Sequence, residues 1–423
     1  MNLIINKSML SGSVEIPGSK SHTIRALVIA SLAGGTSRIR KPLVALDTLA
    51  GLNACRLLGA DILKQEDWIV RGVSGRPKVP DNVIDVGNSG TTLYIALGTA
   101  CLANGYTVFT GDDQIRRRPA KPLIDALNAL GAKVESTRGN GMAPIIVRGP
   151  MKGGNIKLDG SKTSQYLTSL LINCPLAAGD SYIEVENLIE KPYVEMTLKW
   201  LEEQGISVEN DDFKRFSIPG NQQYKPFDKS VPADFSSATF FLCAAAITGA
   251  DLTLVGLDMN DTQGDKAVVD MLAAMGAKVE QTSAGLRIIG GNLRGIEIDL
   301  ANTPDALPAL AVTACFARGE TRLVNVPQAR LKETDRIAVM CEELTKMGAD
   351  IEELPDGLII RGSKLHSAFV HGHADHRVIM ALAIAGLCVE GETTISTAEA
   401  LSVTFPTFVE LMQGIGAIIQ IQS

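Results

Sequence analysis

Short clusters of hydroxyl, amide and basic side chains recur along this 423-residue chain, each just ahead of a run with helical character. One set comprises Gly18-Ser19-Lys20-Ser21-His22, Gly87-Asn88-Ser89-Gly90-Thr91, Gly160-Ser161-Lys162-Thr163-Ser164-Gln165, Asp234-Phe235-Ser236-Ser237, Asn302-Thr303-Pro304-Asp305 and Asp375-His376-Arg377. A second set comprises Arg116-Arg117-Arg118-Pro119, Lys191-Pro192-Tyr193, Gln263-Gly264-Asp265 and Lys332-Glu333-Thr334-Asp335-Arg336. A helix start presents unpaired N–H groups and positive partial charge, so it suits an anion. Ser, Thr, Asn and Asp at such places also read as ordinary N-caps. The bases separate the two readings. Lys20, Arg25, Arg118, Lys332, Arg336 and Arg377 fall at or one turn beyond helix starts, where a cation opposes the dipole. An anion should offset them, and a phosphate together with a carboxylate would do so, arginine's planar fork suiting both.

Other chemistries find less support. His366, His371, His373 and His376 lack HExxH or a comparable metal spacing and read as surface residues. The glycine-rich pieces match neither a Walker loop nor a GxGxxG that follows a strand.

The elements that must position these clusters repeat. A helix-like stretch ending in glycine recurs at Gly59, Gly131, Gly205, Gly276, Gly348 and Gly416, at spacings of 68–74 residues. A more apolar one ends at Gly35, Gly105, Gly179, Gly249, Gly319 and Gly391, at spacings of 70–74 residues. Two markers sharing one period indicate six copies of a unit. In each copy a polar loop opens a first helix, for example 23–33 or 238–247, and a glycine that tolerates positive φ ends it. A strand follows, then a second polar loop, an amphipathic helix with Leu123, Leu127 and Leu130 at helical spacing, and two strands. The expected unit is βαβαββ. First helices that are apolar all round, as at Ala244-Ala245-Ala246 and Ala381-Leu382-Ala383, should be interior. Second helices, charged on one face as in Trp200-Leu201-Glu202-Glu203, should lie nearer solvent. Such units must pack on one another. A ring, a solenoid and two globules of three units all remain open, with length favouring two domains.

Hydrophobic residues at 45% against 21% charged describe a globular protein, and a net charge of -7 gives no reason to seek nucleic acid. Seven scattered cysteines without CxxC read as buried thiols in a reducing compartment. The first seven residues lack the features of a signal peptide, and the longest apolar run, 378–389, is too short to span a bilayer. The expectation is a cytoplasmic protein with no membrane partner.

Taken in order, Pro17-Gly18-Ser19-Lys20-Ser21, Gly87-Asn88-Ser89-Gly90-Thr91-Thr92, Arg118-Pro119, Ser164-Gln165-Tyr166-Leu167, Lys332-Glu333-Thr334-Asp335-Arg336 and Asp375-His376-Arg377 resemble the motifs of the enolpyruvyl transferase family. The resemblance is to its 5-enolpyruvylshikimate-3-phosphate synthases and spans essentially the whole chain. It implies an α/β (α+β) fold of two inverse-barrel-like domains, each of three βαβαββ units around a pseudo-threefold axis. Residues 1–18 plus 233–423 would form one domain and 19–232 the other, with the active site in the cleft between them. It also implies transfer of the enolpyruvyl group of phosphoenolpyruvate to the 5-hydroxyl of shikimate 3-phosphate, with release of phosphate, on the shikimate pathway to chorismate and the aromatic amino acids. A monomer would do this without metal or organic cofactor.

Carried over by motif, Lys20, Gly90, Arg118, Gln165, Arg336 and Arg377 would hold phosphoenolpyruvate. Ser21, Arg25, Thr163, Ser164, Gln165, Asp305, Gln328 and Lys332 would hold shikimate 3-phosphate. Asp305 would take the proton of the 5-hydroxyl, and Glu333 and Lys20 would serve protonation of the methylene carbon. The chemistry is coherent, because an enol carbon must gain a proton while a hydroxyl loses one. Gly90 would leave room for the inhibitor glyphosate. Four positions depart from the family's pattern: Glu190 stands for a serine, Val403 for a lysine, Tyr94 for an arginine and Gln328 for an asparagine. An acid at 190 should repel the acceptor's phosphate unless it points away. Sister transferases acting on UDP-N-acetylglucosamine carry a reactive cysteine or aspartate before Arg-Pro; here that loop has Asp112 and Asp113 but no cysteine. A homologue acting on a different cyclic alcohol would share the repeats, with Glu190 as its mark. A non-catalytic anion-binding repeat protein would share them too, but would gain nothing from Asp305 and Glu333.

Overall fold

The strand Gly154–Asp159 buries Ile156 and Leu158 on one face and opens one repeat. It runs parallel to Ser181–Glu186, with Ile156 opposite Ile183, and a parallel pair needs a crossover. The helix Gln165–Asn173 supplies it. Next come the helix Lys191–Glu203 and the hairpin of Glu209–Asp211 with Arg215–Ile218, whose second strand pairs antiparallel to Ser181–Glu186. This βαβαββ unit makes one four-stranded mixed sheet.

The computed structural model, which describes residues 1–422, contains six such four-stranded sheets. They fall three to each of two units, Met1–Pro17 with Pro232–Ser423, and Gly18–Val231. Three sheets are completed by strands remote in sequence. Ser11–Glu15 pairs parallel to Asp251–Val255, Asp228–Ser230 pairs parallel to Thr36–Arg40, and Asn2–Asn6 lies between Glu392–Ser396 and Ile418–Gln422. The chain therefore leaves its first unit after Pro17 and returns to it at Pro232.

Each unit has its own core, built on the first helices of its repeats. His376–Gly386 is buried along its whole length, and Phe235–Thr248 over its first twelve residues. The second helices are amphipathic: Lys191–Glu203 buries Val194, Met196, Thr197, Trp200 and Leu201 and leaves its acids in water.

The six glycines after the second helices all have positive φ, between 71 and 117°, which explains why glycine marks the period. Gly105 belongs to the other set and has no positive φ; a Cβ there would lie 2.5 Å from Val79 Cγ2, so close packing requires it instead. First helices begin earlier than the periodicity indicates, at Lys20–Leu32 rather than 23 and at Phe235–Thr248 rather than 238. The polar residues expected in the loops form the first helical turn; at 235 the Asp234 carboxylate caps it, accepting from Ser237 N.

Candidate active site

Three interior helices of the Gly18–Val231 unit begin with Lys20, Gly90 and Gln165. Lys20 Nζ donates to Asp47 Oδ2 at 3.2 Å, the two side chains being 19% and 5% exposed. Asp47 sits in the first turn of Leu46–Leu57, where the dipole favours an acid. Its backbone oxygen accepts from Thr92 Oγ1, in the first turn of Gly90–Ala100. That helix starts with no side chain at Gly90, where a Cβ would come within 2.5 Å of Arg118 Nη1. The glycine is what lets the Arg118 guanidinium lie against the helix start.

Arg118 is held from both sides. Its Nη2 reaches Asn88 Oδ1 at 3.5 Å, and Asn88 in turn donates to Asp112 and Gln114. The carbonyl of Pro119 accepts hydrogen bonds from Tyr94 Oη at 2.9 Å and Tyr166 Oη at 2.6 Å. The two rings meet edge to face at 5.0 Å. Burial pushes the Tyr94 hydroxyl up to about 12, so it remains a neutral donor. Tyr94 therefore acts as an internal brace for the Arg118-Pro119 turn, which its place as an arginine substitute does not suggest.

Arg25, one of the candidate acceptor ligands, is buried with its donors on protein oxygens: Ser21 O, Thr197 Oγ1, Thr168 Oγ1 and Tyr193 O. Burial pushes its guanidinium down to about 10. Thr163 and Ser164 precede the helix Gln165–Asn173, and both bond to the buried carboxylate of Glu190. The Gln165 Oε1 atom is buried and makes no hydrogen bond among the described residues.

In the other unit one guanidinium gathers the acids. Arg336 is the first residue of Arg336–Lys346 and is 1% exposed. It donates to Asp305 Oδ1 at 2.9 Å, Glu333 Oε2 at 2.5 Å and Asp375 Oδ2 at 2.8 Å. Arg377 Nη2 takes the second oxygen of Asp305 at 3.0 Å. Burial alone would lower the Arg336 pKa, but Asp375, Glu333 and Asp305 outweigh it and hold it above its ordinary value. Burial would raise Asp375, and Arg336 outweighs that, keeping the carboxyl below its usual range. Burial, with the Asp305 charge second, pushes the neighbouring Asp265 up to about 6. Gln328 is buried in the short helix Pro327–Leu331 and donates to Ala301 O, and Lys332 follows it, half-buried. Val403 ends the short helix Ala398–Val403.

The surface position expected for His376 is overturned. The residue is 1% exposed in the first turn of an interior helix, with neither ring nitrogen hydrogen-bonded among the described residues. Burial pushes it down to about 3, so it is neutral when folded. The unfolded chain binds a proton at this residue below about 6.5, so its effect on stability becomes unfavourable as pH falls from 6.5 toward 3. Between pH 7 and pH 5 wild type is expected to lose about 2 kcal/mol more than His376→Asn, measured by urea unfolding. Parallel pH curves would contradict this. His373 is half-buried, its Nε2 2.7 Å from Glu343 Oε1. Glu342, Glu343 and His373 bring possible ligand atoms together, but Lys346 Nζ already lies 2.8 Å from both carboxylates.

The cations are legible in the sequence, and the groups that hold them are not. Asp47 lies 27 residues from Lys20, and nothing local links the two. The roles of Asn88 and Asp375 were within reach, since both stand in the clusters that open the interior helices.

The chain matches the family model EPSP synthase (3-phosphoshikimate 1-carboxyvinyltransferase) over residues 4–412. It is 57% identical over 422 residues to the 3-phosphoshikimate 1-carboxyvinyltransferase of Ruminiclostridium cellulolyticum, covering 100% of both chains. With that of Methanocella arvoryzae it shares 48% over 421 residues, 99% of each. Its fold matches a solved EPSP synthase from Acinetobacter baumannii with a TM-score of 0.84 at 29% identity, covering 100% of both.

Proposed function

Since this chain belongs to the EPSP synthase family and is a 3-phosphoshikimate 1-carboxyvinyltransferase of aromatic amino acid biosynthesis, we propose that Lys20, Gly90, Arg118, Gln165, Arg336 and Arg377 hold its phosphoenolpyruvate. Ser21, Arg25, Thr163, Ser164, Gln165, Asp305, Gln328 and Lys332 hold shikimate 3-phosphate, with Arg25 also tied to Ser21 O and the Tyr193 carbonyl. The observation that supports the reading is the fixed set of Asp305, Glu333, Arg336 and Arg377, two carboxylates beside guanidinium groups suited to an anionic substrate.

In the proposed reaction Asp305 takes the proton of the acceptor's 5-hydroxyl as that oxygen bonds to C2 of phosphoenolpyruvate. Glu333, with Lys20, serves delivery of a proton to C3, which becomes a methyl group. The tetrahedral intermediate then loses a methyl proton, the C–O bond to phosphate breaks and the vinyl double bond returns. The cations offset repulsion between two anionic reactants, and fixing both reactants lowers the entropic part of the barrier. The reading takes the enzyme as a monomer that uses no metal or organic cofactor. The seven free cysteines support a cytoplasmic setting; among the described residues no helix is long and apolar enough to cross a membrane.

A phosphate-release assay tests the reading. Release from phosphoenolpyruvate is expected only with shikimate 3-phosphate, not with UDP-N-acetylglucosamine, and millimolar glyphosate should inhibit in competition with phosphoenolpyruvate. Release without an acceptor would contradict the proposed addition step. Rates unchanged by glyphosate would contradict the expectation of glyphosate binding drawn from Gly90.

A further inference from the structure

We propose that Glu190 is an internal anion that occupies the donors of the acceptor's phosphate before the acceptor binds and sets acceptor affinity by having to release them. This rests on the proposed function, in which Thr163 and Ser164 hold shikimate 3-phosphate, and takes its phosphate as the group they receive. Glu190 is the N-cap of Lys191–Glu203, at φ 55° and ψ 40°, a left-handed conformation that a side-chain-bearing residue adopts when its surroundings impose it. The residue is 1% exposed. Its Oε2 accepts from Ser164 N at 3.2 Å, Ser164 Oγ at 3.1 Å and Thr163 Oγ1 at 3.4 Å. The helix Gln165–Asn173 starts at the next residue, so its positive end faces the same carboxylate. A backbone N–H, two hydroxyls and a helix start converging on one oxygen are the groups that would receive a phosphate oxygen.

The expectation that an acid here would repel phosphate unless it pointed away now takes a specific form, because the carboxylate points at the donors. A phosphate monoester carries up to two negative charges near neutral pH, and two anions on one set of donors repel strongly. Binding of shikimate 3-phosphate therefore requires the Glu190 carboxylate to withdraw from these donors. Until then it keeps a buried helix start satisfied, which otherwise costs stability. Glu190 is thus a specificity-determining residue that acts by competition, and its effect belongs to acceptor binding rather than to turnover.

The experiment is titration calorimetry of shikimate 3-phosphate into wild type, Glu190→Gln, Glu190→Ser and Ser164→Ala, with kcat from phosphate release. The Gln variant keeps the size and shape of the side chain, so lost packing cannot account for its behaviour. Both Glu190 variants are expected to lower Kd at least about tenfold while kcat changes much less, and Ser164→Ala is expected to raise Kd. If Ser164→Ala weakens binding but neither Glu190 variant tightens it, the competition is refuted and the phosphate subsite stands. If none of the three changes Kd, the subsite assignment itself fails.

Discussion

Glu333→Gln, Asp305→Ala and Lys20→Ala are each expected to cut turnover about a hundredfold or more, the size typical of one acid–base group. In the proposed scheme the two carboxylates have different work. Asp305 carries a guanidinium on each oxygen, from Arg336 at 2.9 Å and Arg377 at 3.0 Å, which fixes its orientation. A carboxylate held in place in this way is the group proposed to accept the hydroxyl proton as the C–O bond forms. Glu333 shares the Arg336 guanidinium through a single oxygen. Glutamine at 333 keeps the shape but cannot exchange a proton at carbon, so kcat should fall while the Kd for shikimate 3-phosphate stays within a few-fold. Lys20 is paired with Asp47, and its loss should raise KM for phosphoenolpyruvate as well as lower kcat. Wild-type rates in all three variants would remove the proposed scheme.

Arg336→Met is expected to be strongly destabilising. The side chain is buried with Asp375, which is 0% exposed, and with Glu333 and Asp305. Removing the shared cation leaves carboxylates without their main partner, and breaking a buried pair from one side costs about 3–5 kcal/mol. The sign of the pH effect follows from Asp375. Its pKa is held low by Arg336, so that stabilisation is present above the unfolded carboxyl range and lost as pH falls through the depressed value. Without Arg336 the acids can protonate on acidification, so the deficit against wild type should shrink from pH 8 to pH 5. Urea unfolding at both pH values measures it. A loss below about 1 kcal/mol at pH 8 would show that the acids are held by something else.

The repeat was legible because one backbone need recurs. Six amphipathic helices end where φ turns positive, and glycine meets that need each time. Which repeats share a core was not legible in the periodicity and came only from the family resemblance, because it depends on remote strands such as Ser11–Glu15 and Asp228–Ser230 joining sheets begun elsewhere. At the site, Lys20, Arg336 and Arg377 stood out because each is a cation in the first turn of its helix, where it opposes the dipole. Their restraints were not visible in sequence: Asp47 for Lys20, and the paired tyrosines on the Pro119 carbonyl for Arg118, are tertiary contacts with no local pattern. The burial of His376 did have a local cue, since the helix it opens is apolar all round and its first turn had to be interior too.

The central claim is that enolpyruvyl transfer here runs through protonation of the methylene carbon by groups of this chain. The most direct test is the deuterium content of the product's vinyl methylene after turnover in D2O. Addition and elimination convert that carbon to a methyl group and back, so wild-type product should carry deuterium there, and the little product made by Glu333→Gln should form at a rate limited by the same step. Wild-type product whose vinyl methylene holds no deuterium would contradict the account.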